Sequence, residues 1–244
     1  WLRPSLEKVT TVIVPSGFLA EIFKRRDIAT RIVPNIVNLD LFTSAGHDRH
    51  IRKKTGPKLL VTRNLEPLYD IDTALRVLQQ VRLTFPEATM TVCGSGPERD
   101  KLTTLAQTLG IASAVVFTGR VENEQIAELY QSADVMVNPS LADNMPNSVL
   151  ESLASGVAVV STDVGGVPFL VQHEKTALLV PPGDVDAMAK AVIRVLEDPE
   201  LAARLTTSGL SEVKQYTWPS VREKLESAYT DALMETGNTD VMSE

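Results

Sequence analysis

Residues 134–161, DVMVNPSLADNMPNSVLESLASGVAVVS, decide the fold. Two valine-rich runs, Asp134 to Asn138 and Val157 to Ser161, flank a stretch that starts as a helix near Pro146 or Asn147. Strand, loop, helix, strand is the βαβ unit of a parallel sheet. Both runs are apolar with little alternation, which suits strands covered by helices on both faces.

The pattern repeats on either side. Leu59 to Arg63, Thr89 to Cys93, Ala114 to Thr118 and Ala177 to Val180 predict further strands, each followed by Gly, Pro, Asn or Asp. Ile71 to Phe85, Glu98 to Leu109, Asn123 to Gln131 and Val185 to Leu196 carry apolar residues at helical spacing, as in Ala74, Leu75, Leu78 and Val81, and predict the crossover helices. The class is α/β, with a doubly wound open parallel sheet. Earlier in the chain, Thr11 to Val14, Phe18 to Arg26 and Arg31 to Val33 predict a separate βαβ piece. The polar stretch 43–57, TSAGHDRHIRKKTGP, reads as a linker or boundary. Trp218-Pro219 opens a last helix, and the polar tail from Glu235 is expected to fray. The expected division is 1–43, 44–217, a helix over 218–236 and a disordered tail over 237–244.

The chain has 244 residues, enough for one large core or two modest ones. A hydrophobic share of 43% and a charged share of 23% argue against disorder and fibrous repeats. Net charge is −7, with Lys and Arg dispersed, which argues against a nucleic-acid partner. Cys93, the single cysteine, excludes an intrachain disulfide and a multi-cysteine zinc site and suits a reducing cytoplasm. No apolar run reaches the roughly 18 residues of a membrane span, and Trp1-Leu2-Arg3-Pro4 has no signal-peptide layout, so a cytoplasmic protein is expected. A start without Met, where structure is already under way, reads as the truncation of a longer chain.

Ligands of an open parallel sheet bind at the carboxyl ends of its strands, so the post-strand loops carry the chemistry. The loop from Pro139 puts Asp143 ahead of the helix and Glu151 in its early turns. The helix start at Asn147, Ser148 and Val149 offers free N–H groups and a positive dipole end, which favour phosphate without any lysine. Carboxylates beside a diphosphate suit the hydroxyls of a nucleotide sugar. The plain alternative is a turn aspartate and a solvated helix glutamate. Gly94-Ser-Gly96 is not a dinucleotide fingerprint, because Arg99 stands where the third glycine belongs. Asp70/Asp72 and Asp184/Asp186 imitate a metal-binding pair but open predicted helices, where acids serve as caps. His47, His50 and His173 lack metal-ligand spacing, and no metal is predicted.

Two acids eight apart, then Leu153-Ala-Ser-Gly156-Val-Ala-Val-Val160 and Gly165-Gly166-Val-Pro168, resemble family 4 of the GT-B glycosyltransferases, glycosyl transferases group 1. Val12-Ile-Val-Pro-Ser16, Val33-Pro34-Asn35, Gly94-Ser-Gly96-Pro97, Val116-Phe-Thr-Gly119, Ala133-Asp134 and Leu179-Val-Pro-Pro-Gly183-Asp184 resemble its other landmarks, in order. The resemblance implies a Rossmann-like donor-binding domain, a remnant of the acceptor-side domain before it, and a last helix returning to that remnant. It implies transfer of a sugar from a nucleotide diphosphate to an acceptor with retention of configuration, in polysaccharide or glycoconjugate synthesis, without a cofactor. Glu151 matches the acid that binds the ribose hydroxyls and Asp143 the one that contacts the transferred sugar. Arg63 matches the arginine facing the diphosphate, where a guanidinium can hold two phosphate oxygens. Gly119, Arg120 and Val121 match the loop beside the base, although Gly119 is equally an ordinary turn glycine, and Gly94 and Gly96 belong to the same expected donor site.

Three positions depart from the family. Asp143 stands where Glu is usual, Leu68-Tyr69 where Lys-Gly is usual, and Phe169 where an acid is common. Two other readings stay open: a weakened or non-catalytic relative acting as an interaction module, and an epimerase or phosphorylase of the same fold. The acceptor is not legible, any peripheral membrane contact lies with the missing half, and this piece alone is expected to bind donor and turn over poorly.

Overall fold

The structure, a computed structural model, describes residues 9–44 and 56–235. Most of the expected linker, with His47 and His50, and the expected tail lie outside the described residues.

A short unit comes first: β1 (Ile13–Val14), α1 (Gly17–Lys24) and β2 (Arg31–Ile32), with β1 and β2 paired in parallel. Ser16 caps α1, its hydroxyl accepting from Leu19 N. The main sheet follows in β3 (Lys58–Thr62), β4 (Thr89–Cys93), β5 (Val115–Gly119), β6 (Val135–Asn138), β7 (Ala158–Thr162) and β8 (Leu178–Val180). These six strands lie in the order β5-β4-β3-β6-β7-β8, all parallel. The chain therefore starts at the centre, winds outward to β5, and returns to the other side of β3 as β6. The β3–β6 seam is the point where the winding reverses, and there the loops at the strand ends part to leave a crevice.

The helices of this domain are α2 (Ile71–Thr84), α3 (Arg99–Thr108), α4 (Asn123–Ser132), α5 (Asn147–Ala154), α6 (Val167–Leu170), α7 (Val185–Glu197) and α8 (Pro199–Glu212), and α9 (Trp218–Glu235) closes the described chain. Successive strand residues feed opposite cores. Leu59, Val61, Val135, Val137 and Val160 pack with α2 and α7, whereas Leu60, Met136 and Val159 pack with α4 and α5. Both faces of the central strands are thus apolar, which is why their sequences show no alternation. Each fully buried leucine there contributes roughly 1.5–3 kcal/mol.

Several expected bounds shift by one or two residues, and two helices are added. β5 begins one residue later than predicted, because Ala112–Ala114 form a 3-10 turn. As an edge strand β5 also alternates, with Val116 exposed. Helices α6 and α8 were not foreseen, although Asp198-Pro199 announces α8: Asp198 accepts from Leu201 N at 2.9 Å and Pro199 fills the first turn.

Candidate functional site

Arg63 is the residue after β3 and Asn138 the last of β6, so the seam brings them together. Arg63 Nε donates to Asn138 Oδ1 at 3.0 Å. Asn138 is fully buried, and its Oδ1 also accepts from Ser140 Oγ at 3.0 Å while its Nδ2 donates to Ser161 Oγ at 2.9 Å. A buried amide with this many partners is held in one orientation, and so is the guanidinium on it. The Arg63 guanidinium lies 4.9 Å from the Tyr69 ring centre and forms an ion pair with Asp143. The two side chains are only 12% and 10% exposed, so the pair is largely out of water. Burial pulls the Arg63 pKa down, and the phenols of Tyr69 and Tyr130 and the carboxylate of Glu151 push it back up.

Glycines set the backbone around this pair. A Cβ on Gly94 would lie 2.0 Å from the Arg63 carbonyl, and one on Gly96 2.4 Å from that of Leu65. Arg63 N donates to Cys93 O and Leu65 N to Ser95 O, both at 3.0 Å. Gly94 and Gly96 therefore seat the strand end that carries Arg63. On the other side, a Cβ on Gly166 would lie 1.6 Å from the Asn144 carbonyl, and Gly166 N donates to Asp143 O at 3.0 Å. Leu141 N donates to Leu68 O at 2.9 Å. The Asp143 loop is thus clamped between the Gly165-Gly166 turn and the 3-10 turn Pro67–Tyr69.

Helix α5 starts directly after this loop. Its expected three free donors narrow to two, because Val149 N donates to Pro146 O at 3.1 Å in a tight first turn, which leaves those of Asn147 and Ser148. Ser148 is 5% exposed, and its Oγ has no partner among the described residues. One turn on, Glu151 Oε2 accepts from the Tyr130 hydroxyl at 2.9 Å. Burial pushes the Glu151 carboxyl above its ordinary value, while the Tyr130 hydrogen bond and the Arg63 charge pull it down.

Arg63, Asp143, Asn147, Ser148 and Glu151 accordingly converge at the seam. Gly119, Arg120 and Val121 stand two strands away, at the end of edge strand β5. They join the group through Gly94, whose N–H donates to Gly119 O at 2.9 Å; Gly119 itself has a φ of 74°, a conformation that favours glycine. Sequence reasoning missed Asn138, Tyr130 and Tyr69. An asparagine ending the apolar run Val135-Met-Val was the visible signal for the first, and Tyr69 proves to fill the place of the family's usual Lys-Gly as a platform under Arg63.

The acid pairs act at helix starts. Asp184 accepts from Ala187 N at 2.9 Å, Asp70 from the Thr73 hydroxyl at 2.7 Å, and Asp72 pairs with Arg76 at 2.6 Å. His173 Nδ1 accepts from Leu179 N at 2.9 Å. Among the described residues no group of three or more His, Cys, Asp or Glu could hold a metal ion, and no helix is long and apolar enough to cross a membrane.

The amino-terminal unit reaches the same loop. Ser16 Oγ bonds Asn144 Oδ1, and Asn35 Nδ2 donates to Met145 O at 3.0 Å and to Asn147 Oδ1 at 2.9 Å. Phe169, in place of the family's acid, packs its ring against Gly17 and lines a cavity of about 140 Å³ between the two parts, with Ser16, Met145 and Lys224.

The family model of the glycosyl transferases group 1 matches residues 45–211. Among curated proteins, a D-inositol 3-phosphate glycosyltransferase of Acidothermus cellulolyticus is 30% identical over 93% of this chain and 53% of its own length. A GDP-mannose-dependent phosphatidylinositol monomannoside mannosyltransferase of Mycobacterium tuberculosis is 32% identical over 69% of this chain and 46% of its own. Among solved structures, sucrose-phosphate synthase of Thermosynechococcus elongatus superposes with a TM-score of 0.85 at 29% identity, over 96% of this chain and 61% of that one. HepE of Anabaena, solved with UDP and glucose, superposes at 0.84 and 18% identity, over 94% and 65%. The chain spans about half the length of the curated relatives it matches.

Proposed function

This chain belongs to the glycosyl transferases group 1, with the GT-B fold, and from that premise we propose that it is the donor-binding half of a retaining family 4 enzyme that takes its sugar from a nucleoside diphosphate. The observation that carries this reading is a buried arginine fixed on Asn138 at the sheet's reversal point, beside the N-terminus of α5 and within electrostatic reach of Glu151. In this role Arg63 and the N–H groups of Asn147 and Ser148 hold the diphosphate, Glu151 accepts from the ribose hydroxyls, Asp143 contacts the transferred sugar, and the backbone of Gly119, Arg120 and Val121 borders the base. The reaction builds negative charge on the departing diphosphate and positive charge on the sugar ring, and preorganised donors at the seam stabilise the first. Arg63 performs this without the family's usual lysine. The acceptor and its contacts belong to the part of the enzyme outside this chain, so the isolated chain binds donor and turns over poorly.

A second reading, a weakened or non-catalytic relative, is favoured by Leu68-Tyr69 at the lysine position and by an arginine already neutralised by Asp143. Calorimetric titration with UDP-glucose, GDP-mannose and ADP-glucose separates the readings. Binding of one of them, weakened at least about tenfold by Arg63→Ala or Glu151→Ala, supports the donor site. Failure of all three to bind the wild type overturns it; binding untouched by both substitutions moves the site elsewhere.

A further inference from the structure

Among the described residues Tyr130 is the largest side chain that is fully buried, yet its hydroxyl is not idle. It lies 2.6 Å from Thr62 Oγ1, 2.9 Å from Glu151 Oε2 and 3.2 Å from the Ser148 carbonyl. A phenol has one proton to donate. The carboxylate, which can only accept and is the stronger acceptor, takes it, so Tyr130 donates to Glu151 and accepts from the Thr62 hydroxyl. Phe42 fixes the ring from the side, edge on at 5.8 Å between centres. Thr62 is the last residue of β3 and the neighbour of Arg63, while Glu151 belongs to α5. A hydrogen-bonded relay therefore spans the seam, from the strand end that carries the arginine to the helix that carries the acid.

We propose that Tyr130 is a positioning residue for the nucleoside: through its hydroxyl it holds the Glu151 carboxylate in the orientation that accepts from ribose, at a distance from Arg63 set by Thr62. The inference rests on the donor-site reading above. Binding one carboxylate oxygen, Oε2, to the protein leaves Oε1 for a ligand, since no donor to Oε1 is found among the described residues. The relay also explains why a tyrosine rather than a phenylalanine occupies a fully buried place, where an unpartnered hydroxyl is costly.

The test measures Kd for UDP, GDP and ADP, each beside its 2′,3′-dideoxy counterpart. Wild type is expected to prefer the ribo form of the nucleotide it binds. Tyr130→Phe keeps the ring and removes the relay, and is expected to reduce that preference about tenfold by weakening the ribo form alone. Thr62→Val is expected to act in the same direction and Thr62→Ser to restore the wild-type preference, which guards against a variant that folds poorly. A second readout is pH. The charged and titratable groups facing Glu151 are Arg63, Tyr130 and Cys93, and the hydrogen bond from Tyr130 lowers the Glu151 pKa. Its loss moves the acid limb of ribonucleotide binding to higher pH. Equal weakening of ribo and dideoxy forms, or an unchanged preference and acid limb, overturns the inference while the donor site stands. If wild type binds none of the three nucleotides, the donor-site reading falls and this inference with it.

Discussion

Asp143 has two partners to serve. In the free protein it neutralises Arg63, and in the proposed complex it faces a sugar hydroxyl while phosphate oxygens take over the guanidinium. Removing one side of a largely dry ion pair leaves the other uncompensated, so Asp143→Asn is expected to lower unfolding stability by about 2–3 kcal/mol in urea titration. A saturating nucleotide diphosphate supplies the missing anion and should recover most of that loss; an equal deficit with and without nucleotide would show that Arg63 does not meet the ligand. Glu151 makes a prediction of opposite character. Burial raises its folded pKa above the unfolded one, so its stabilising contribution is complete below the ordinary carboxylate range and is lost as pH rises through the raised value. Glu151→Gln should therefore gain in urea midpoint relative to wild type between pH 4 and pH 7, and a constant difference across that range would contradict it.

At the scale of elements, glycines separate packing from function. A Cβ on Gly166 runs into the backbone of Asn144, which cannot swing aside, whereas one on Gly209 in α8 meets only the end of the Leu153 side chain, Cδ2 at 2.7 Å. Gly166→Ala is expected to cost on the order of 2–3 kcal/mol and to displace the Asp143 loop, so donor affinity falls with stability. Gly209→Ala costs less in thermal melting and leaves donor affinity unchanged. The same scale shows what the sequence could disclose. Central strands were legible because both of their faces are apolar; Asp143 and Glu151 stood out beside a helix start, while the roles expected of them and of Arg63 came from the family resemblance. Tyr130 was not, since a tyrosine on the buried face of α4 has the pattern of any core residue and only the fold reveals that Thr62 and Glu151 meet its hydroxyl. Nor was the tight first turn of α5, which depends on where the Pro146 carbonyl points.

At the scale of the whole molecule, Asn35 and Ser16 fasten the amino-terminal unit to the loop that precedes α5. Asn35→Ala removes the side-chain hydrogen bonds to Met145 O and Asn147 Oδ1 and is expected to increase amide hydrogen exchange at Asn144, Met145 and Asn147 with little change in global unfolding; protection equal to wild type would mean that the clasp does not hold the loop. The order of the sheet has a consequence in time. Arg63 and Asn138 are 75 residues apart, and they meet only when β6 docks on β3. The strands on each side of that seam can pair locally first, and long-range parallel pairing is the slow event. After dilution from urea, far-ultraviolet circular dichroism should thus recover before fluorescent nucleotide binding does, the site being the last thing the chain completes.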